Sequence, residues 1–207
     1  MDKTLQVVDD FYADPDRVRA LALEKGRWSP QKTDEGRTYD SETYNSFAGS
    51  ETADAFARIL GIQVHHDPAR MGFGVFAFTG ENANAPLTTH FDDTDWAGIV
   101  YLTPPGRCEG GLSFFRHRES GLTGPPDEAR AKELGYRDRD HWIDEVYYPD
   151  KVRPDAWEEI SRVSMVYNRL VLLRGGSQFH RASSGFGADP SDGRLTQRFF
   201  FDEVRAS

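Results

Sequence analysis

Thr88-Thr89-His90-Phe91-Asp92-Asp93-Thr94-Asp95-Trp96, running on into Ala97-Gly98-Ile99-Val100-Tyr101-Leu102, is the stretch from which the rest of the chain can be read. It sets a histidine and a carboxylate two residues apart, just ahead of a β-branched and aromatic run. On an extended backbone residues i and i+2 share a face, so His90 and Asp92 aim at one point. Two imidazoles and one carboxylate on one side of a metal, with the opposite positions open, form a facial donor set suited to Fe(II). The pair therefore calls for a second histidine far downstream, on or beside another strand. His180 meets that requirement, at the end of Leu170-Val171-Leu172-Leu173-Arg174-Gly175-Gly176-Ser177-Gln178-Phe179-His180. Taken singly, His-x-Asp is a common tripeptide and His180 reads equally as a buried, hydrogen-bonded imidazole.

Outward from this stretch the chain reads as strands. Met71–Thr79 carries aromatics on alternating positions, with one switch of face between Phe73 and the pair Phe76 and Phe78. Further strand candidates are Leu87–Phe91, Gly98–Leu102 and Leu112–Arg116, with connections marked by Pro104-Pro105-Gly106 and Gly110-Gly111. The β pattern returns at Val163–Tyr167, Leu170–Leu173 and Arg194–Phe201 after an interruption over 118–161. Within that insert, Pro125-Pro126-Asp127 begins a helix to Gly135 and Pro154-Asp155-Ala156-Trp157-Glu158-Glu159-Ile160 begins another. Upstream, Leu5–Val8 is a short strand. Asp14 caps a helix with Pro15 at its first position and Val18, Leu21 and Ala22 as its apolar stripe, ending at Gly26. Residues 28–49 show no clean period and read as an irregular connection whose Tyr39, Tyr44 and Phe47 cover a pocket or seal the core edge. Ser50 caps a second helix with Ala53, Phe56, Ala57 and Leu60 on one face. The expected architecture is an antiparallel double sheet or barrel with the N-terminal helices packed outside. A single domain over 1–207 is expected, with a helical preamble at 1–69 and a β core over about 70–203.

Composition narrows the function classes. Acidic residues outnumber basic ones 34 to 25, a formal charge of −9, which disfavours nucleic acid or an anionic membrane as partner. The single cysteine, Cys108, rules out an intrachain disulfide and a thiolate-rich metal site. No apolar run approaches the roughly 20 residues of a membrane helix, and Met1-Asp2-Lys3 does not open like a signal peptide. The expectation is a cytoplasmic protein, monomer or homodimer, acting on a small molecule.

A third element supports the two histidines. In Gly193-Arg194-Leu195-Thr196-Gln197-Arg198-Phe199-Phe200-Phe201, residues Arg194, Thr196 and Arg198 share one strand face. A guanidinium is a natural fork for a carboxylate, and a hydroxyl two residues on can add a second hydrogen bond. With this the order His-x-Asp, Gly-Gly strand, distal His and Arg-x-Thr resembles the Fe(II)/2-oxoglutarate-dependent oxygenases, and most nearly the prolyl-hydroxylase-like branch. The resemblance covers about residues 70–203, with Glu109-Gly110-Gly111-Leu112-Ser113-Phe114-Phe115 as the Gly-Gly strand. It implies a mainly β fold, the double-stranded β-helix or jelly roll, with flanking α-helices. It also implies Fe(II) on His90, Asp92 and His180, with 2-oxoglutarate and O2 as co-substrates. Arg194, helped by Thr196, would hold the far carboxylate of 2-oxoglutarate, and Arg198 competes for that role. In the same family, halogenating members replace the carboxylate ligand with a small residue, so Asp92 favours hydroxylation or desaturation.

Other polar residues receive ordinary readings. Asp93 and Asp95 replace Asp92 only if the local strand is broken. Arg181 points away from His180's face, and His65, His66, His117 and His141 lack partners at ligand spacing. The insert carries Arg130, Arg137, Arg139, His141, Trp142, Tyr147, Tyr148 and Trp157, and reads equally as a substrate lid or a solvated decoration. The expected substrate is a small polar metabolite such as an amino acid, free or carrier-bound, with a peptide or protein side chain as alternative. Two other classes stay open: a cupin-type metal-binding jelly roll working without 2-oxoglutarate, and a non-catalytic binding module with core histidines.

Overall fold

Alternation along the central strands places two different surfaces on one sheet. The computed structural model describes residues 3–32, 38–81 and 88–204. In chain order the main elements are β1 (Leu5–Val8), α1 (Pro15–Lys25), β2 (Trp28–Lys32), β3 (Thr38–Thr43), α2 (Ser50–Leu60), β4 (Val64–His65), β5 (Phe73–Thr79), β6 (Trp96–Tyr101), β7 (Gly111–His117), α3 (Glu128–Glu133), α4 (Arg139–Trp142), α5 (Tyr148–Asp150), β8 (Trp157–Ser164), β9 (Leu170–Leu173), β10 (His180–Ala182) and β11 (Arg194–Glu203). The large sheet runs β1-β9-β6-β11-β5-β3-β2, with β4 paired to β11, and the small sheet runs β10-β7-β8. Pairing is antiparallel throughout. An isolated bridge joins His90 to His180 at the free edge of the small sheet. The arrangement is a mainly β jelly roll, as expected.

One face of the large sheet is covered by the helices. Trp96 and Val100 of β6, Leu170 and Leu172 of β9, and Leu195, Phe199 and Phe201 of β11 pack there with Ala22 of α1 and with Phe56 and Leu60 of α2. The alternate residues Ala97, Tyr101, Val171 and Leu173 face inward and meet Leu112 and Phe114 of the small sheet, as a period of two requires. The face switch expected in β5 is a bulge. Register slips between Arg198 and Phe199 opposite Gly74, whose φ is +84°, so Phe73 and Phe76 both end in the helix-side core. Phe56 sits at the centre of that core, with ring centroids 5.0 Å from Phe199 and 5.5 Å from Phe201. Phe56→Ala is expected to cost about 3–5 kcal/mol, read as a lower denaturant midpoint with an unchanged slope.

Several local expectations are corrected. Trp28–Lys32 and Thr38–Thr43 are not part of an irregular connection but the paired strands β2 and β3, which extend the large sheet. Their composition hides them: Pro30 sits in the terminal strand, where a missing N–H does no harm. Tyr44 is exposed and Phe47 packs on the core; the side chain of Tyr39 lies outside the described set. The cap of α2 is Gly49 rather than Ser50, with no side-chain cap bond. Asp14 does cap α1, accepting from the Arg17 amide, but Leu21 is exposed. Candidate strand Leu87–Phe91 contributes only the His90 bridge, and Leu87 itself lies outside the described residues.

The insert is also different. Pro154 starts only a short 3-10 turn, and Trp157–Ser164 is strand β8, not a helix. Trp157 and Ile160 mimic a helical spacing, but the segment satisfies its backbone by pairing with β7. The strand expected at Val163–Tyr167 is the end of this one, which stops at Ser164. The helical part, α3 to α5 with a π-turn at Ile143–Tyr147, lays Trp142, Ile143 and Tyr147 against Phe115 and Phe179 on the outer face of the small sheet. His117 of β7 is pinned to it by hydrogen bonds to Asp150 at 2.9 Å and Ser120 at 2.8 Å. Among the described residues no helix is long and apolar enough to cross a membrane.

Candidate metal centre

His90 and His180 face each other across the bridge, each amide bonded to the other's carbonyl at 3.0 and 2.8 Å. Their ring centroids are 4.4 Å apart. Asp92, two residues on, is set by its amide donating to the Gly175 carbonyl at 3.0 Å. Its carboxylate oxygens lie 3.8 Å from His90 Nε2 and 3.5 Å from His180 Nε2. One donor atom from each of these residues falls within 4.8 Å of the others. The structure thus brings together the residues read as ligands from the sequence.

Electrostatics make this cluster demand a cation. His90 Nδ1 is 3.0 Å from the Thr88 carbonyl and His180 Nδ1 is 2.9 Å from that of Gln178. A carbonyl only accepts, so each Nδ1 carries a proton, and the buried His180 ring, held neutral, turns its Nε2 lone pair toward Asp92. His180 is buried, and burial together with neighbouring His90 pushes its imidazole down to about 4. The separations to Asp92 are too long for hydrogen bonds, and Asp92 Oδ2 is buried with no hydrogen-bond partner. Lone pairs and a carboxylate converging without a donor between them fit a divalent ion.

The loop before His180 supplies a feature that sequence reading missed. A Cβ built on Gly175 would stand 2.0 Å from Asp92 Oδ2 and 2.9 Å from its Cγ. Only glycine lets this backbone close on the carboxylate, and the available signal was the Gly175-Gly176 pair shortly ahead of His180. Gly175→Ala is expected to swing the carboxylate off its two histidine partners and weaken metal binding by about 10–100-fold, with little change in metal-free stability. Anaerobic Fe(II) titration of both proteins checks this.

Arg194 is 2% exposed and lies in the space between the sheets. Its Nη2 donates to the Gly111 carbonyl at 3.2 Å, Nη1 approaches Met165 Sδ at 3.7 Å, and its guanidinium lies over Tyr101 at 5.4 Å. Nε has no partner, and among the described residues no carboxylate pairs with it. Thr196, also buried, donates to the Ala77 carbonyl at 3.3 Å. Arg198 is held by Asp40 at 2.5 Å and Glu42 at 2.9 Å, so its charge is already met within the fold. Residue Phe114 of β7 pairs with His180, and Gly111 lies three residues along the same strand. At ~3.3 Å per residue the guanidinium therefore sits ~10 Å from the histidine level.

A cleft of about 710 Å³ opens beside the cluster, with Asp92 and Phe91 in its wall and Arg139, Ile143 and Tyr148 of the insert on its rim. The other polar candidates play structural parts. Asp95 Oδ2 accepts the Glu203 amide, Arg181 lies over the Phe115 ring, and His66 stacks on Phe73.

No curated protein matches the chain by sequence. Among solved structures, a prolyl hydroxylase from Trichoplax adhaerens in complex with a hypoxia inducible factor peptide fragment is similar at a TM-score of 0.53 and 12% identity, over 96% of this chain and 83% of that one. HygX from Streptomyces hygroscopicus, with nickel, 2-oxoglutarate and hygromycin B bound, gives 0.49 and 14%, over 96% and 82%. A Pseudomonas putida prolyl-4-hydroxylase gives 0.44 and 14%, over 98% and 94%. The first of these likenesses is one of fold and supports the jelly-roll assignment. Residues 1–201 match the model of a family described as of unknown function, DUF6445, and the chain belongs to that family.

Proposed function

We propose that the chain is a non-haem Fe(II)/2-oxoglutarate-dependent oxygenase that hydroxylates an aliphatic C–H of a small polar metabolite, such as an amino acid, free or carrier-bound. The observation that carries this reading is the buried Arg194 guanidinium without a carboxylate, at ~10 Å along the sheet from the His180 level and in the same inter-sheet space. A buried cation is costly unless an anion meets it. A five-carbon diacid chelating a metal at one end has the reach to place its other carboxylate there. A cupin-type centre would need the metal cluster and would give Arg194 no task.

In this reading His90, Asp92 and His180 hold Fe(II), and Arg194, with Thr196 beside it, fixes the far carboxylate of 2-oxoglutarate. Tyr101, Phe114 and Met165 form a largely apolar wall that excludes water and strengthens the charge-assisted bonds at Arg194. When bound, the iron couples O2 activation to decarboxylation, so that 2-oxoglutarate, O2 and a C–H bond become succinate, CO2 and a C–OH. The protein's own share is positioning: the cleft brings a substrate alongside Asp92, and the insert forms one side of it.

Anaerobic titration with Fe(II) and then 2-oxoglutarate tests the proposal. A weak visible charge-transfer band on adding 2-oxoglutarate is expected. Fe(II) binding without that band would replace this reading with the cupin one, and no metal binding at all would leave the histidines as core residues.

A further inference from the structure

The metal cluster has an outer wall as well as a cleft, and the insert supplies it. Neighbouring residues on an extended chain face opposite ways, so Phe91 and Phe179 turn from the side that carries His90, Asp92 and His180. The Tyr147 ring meets both, its centroid 4.9 Å from that of Phe91 and 6.1 Å from that of Phe179. Packing fixes the ligands unequally, since the His180 side chain is 4% exposed and that of His90 42%. The aim of His90 therefore depends on its backbone and on the Thr88 carbonyl that takes its Nδ1 proton. That carbonyl and the Thr89 amide are the two ends of one planar peptide unit. Thr89 is fully buried, and its amide donates to the Lys151 carbonyl of the insert at 3.2 Å.

Lys151 follows Asp150, a buried residue whose oxygens are all engaged. Oδ2 faces His117 Nε2 at 2.9 Å, Oδ1 accepts from Arg153 Nη1 at 2.8 Å, and the carbonyl accepts from Trp157 Nε1 at 2.8 Å. Arg153 is more than half exposed, whereas His117, the last residue of β7, is buried with its ring against Trp142 and Trp157. The Ser120 amide donates to His117 Nδ1 at 3.3 Å; an amide only donates, so the Nε2 proton faces Asp150. His117 is thus the rigid end of a chain of contacts. It runs through Asp150, Lys151 and the Thr88–Thr89 peptide to the His90 ring. Resting on the metal-ligand part of the oxygenase reading, we propose that His117 and Asp150 are positioning residues for the metal, holding His90 on its aim toward the point shared with Asp92 and His180.

The test compares wild type with His117→Asn and His117→Gln. Asparagine reaches only as far as Nδ1, so it can meet Ser120 but leaves Asp150 without its partner. Glutamine carries its amide N–H out to the Nε2 position and can restore that bond. Two quantities are read below the melting temperature of each protein: hydrogen exchange of the Thr89 amide without metal, and Fe(II) affinity by anaerobic titration. In His117→Asn the amide should exchange several-fold faster and Fe(II) affinity should fall about tenfold, the lower end for groups that stand behind metal ligands. In His117→Gln both should return to within about threefold of wild type. A purely structural pair would lower the melting temperature of His117→Asn and leave both readings unchanged. That result, or a glutamine variant as impaired as the asparagine one, overturns the proposal. If His117→Asn does not fold, wild type decides, because coupling is reciprocal. Fe(II) must then slow exchange of the Lys151 amide, which donates to the Tyr147 carbonyl at 2.8 Å, more than that of the β1 amides; equal slowing overturns the proposal. Failure of the wild type to bind Fe(II) overturns it together with the metal centre. If Fe(II) binds and both His117 effects are found but no 2-oxoglutarate band forms, the positioning role stands and the oxygenase reading falls.

Discussion

Asp92→Asn is expected to abolish Fe(II) binding while the metal-free protein melts slightly higher than wild type. In the metal-free state the Asp92 carboxylate is buried, its Oδ2 lacks a donor, and the His90 and His180 Nε2 atoms stand 3.8 and 3.5 Å from its oxygens. With Nδ1 protons committed to the Thr88 and Gln178 carbonyls, the neutral His180 ring offers this carboxylate a lone pair. Asparagine has the same shape, carries no charge and can donate its amide to one of those nitrogens. A gain of about 1 kcal/mol, or roughly 2–4 °C for a chain of this length, follows. With Fe(II) at about 100 times its dissociation constant the wild type should gain about 2.7 kcal/mol, and the variant essentially nothing. Paired melting curves with and without Fe(II) read both effects. Wild-type metal stabilisation in the variant would remove Asp92 from the ligand set, and a large loss of metal-free stability would mean that the carboxylate is a structural partner.

The triad was legible because it depends on local geometry and chain order. His90 and Asp92 share a face by strand periodicity alone, and His180 follows a run, Leu170–Leu173, whose apolar character marks a buried strand. The central strands were legible for the same reason, since each has a helix-side and an inward face. What was hidden depends on partners distant in sequence. Gly175 is unremarkable until its backbone is set against Asp92. Strand β8 exposes most of its residues and is held by backbone pairing rather than by an apolar face. The paired strands β2 and β3 are equally polar, yet β3 supplies Asp40 and Glu42 to Arg198. That pairing bears on a choice the strand pattern left open, because Arg194 and Arg198 lie on one face and only their neighbours distinguish them. The insert is not a merely solvated decoration: Trp142, Ile143 and Tyr147 bury it against the small sheet, while Arg139, Asp144 and Tyr148 form one side of the cleft.

Arg194→Met should separate cofactor anchoring from folding more sharply than any other change. The wild-type guanidinium is buried against Tyr101 and Met165 with only the Gly111 carbonyl as a good acceptor and with Nε unpaired. Burial also pushes its ionisation down from the ordinary arginine value, though a guanidinium remains charged at any working pH. Methionine fills much of the same volume without desolvating a charge, so the metal-free variant should be at least as stable as wild type, by up to about 1–3 kcal/mol. Fe(II) affinity should not move, because the ligand cluster lies ~10 Å away along β7. Affinity for 2-oxoglutarate should fall by about 100-fold or more, the loss of charge-assisted hydrogen bonds at roughly 1.5–3 kcal/mol each. Arg194→Lys should fall between the two, since an ammonium supplies the charge but not the planar fork. A variant that keeps 2-oxoglutarate affinity within about threefold, less than 1 kcal/mol, would transfer the anchor to another group, and Arg198 would first have to leave Asp40 and Glu42 to serve. A variant that unfolds would show that the Gly111 and Tyr101 contacts outweigh the burial cost, making Arg194 a bridge between the sheets. A more stable fold that no longer holds the diacid has a single physical origin: a buried cation retained for a ligand.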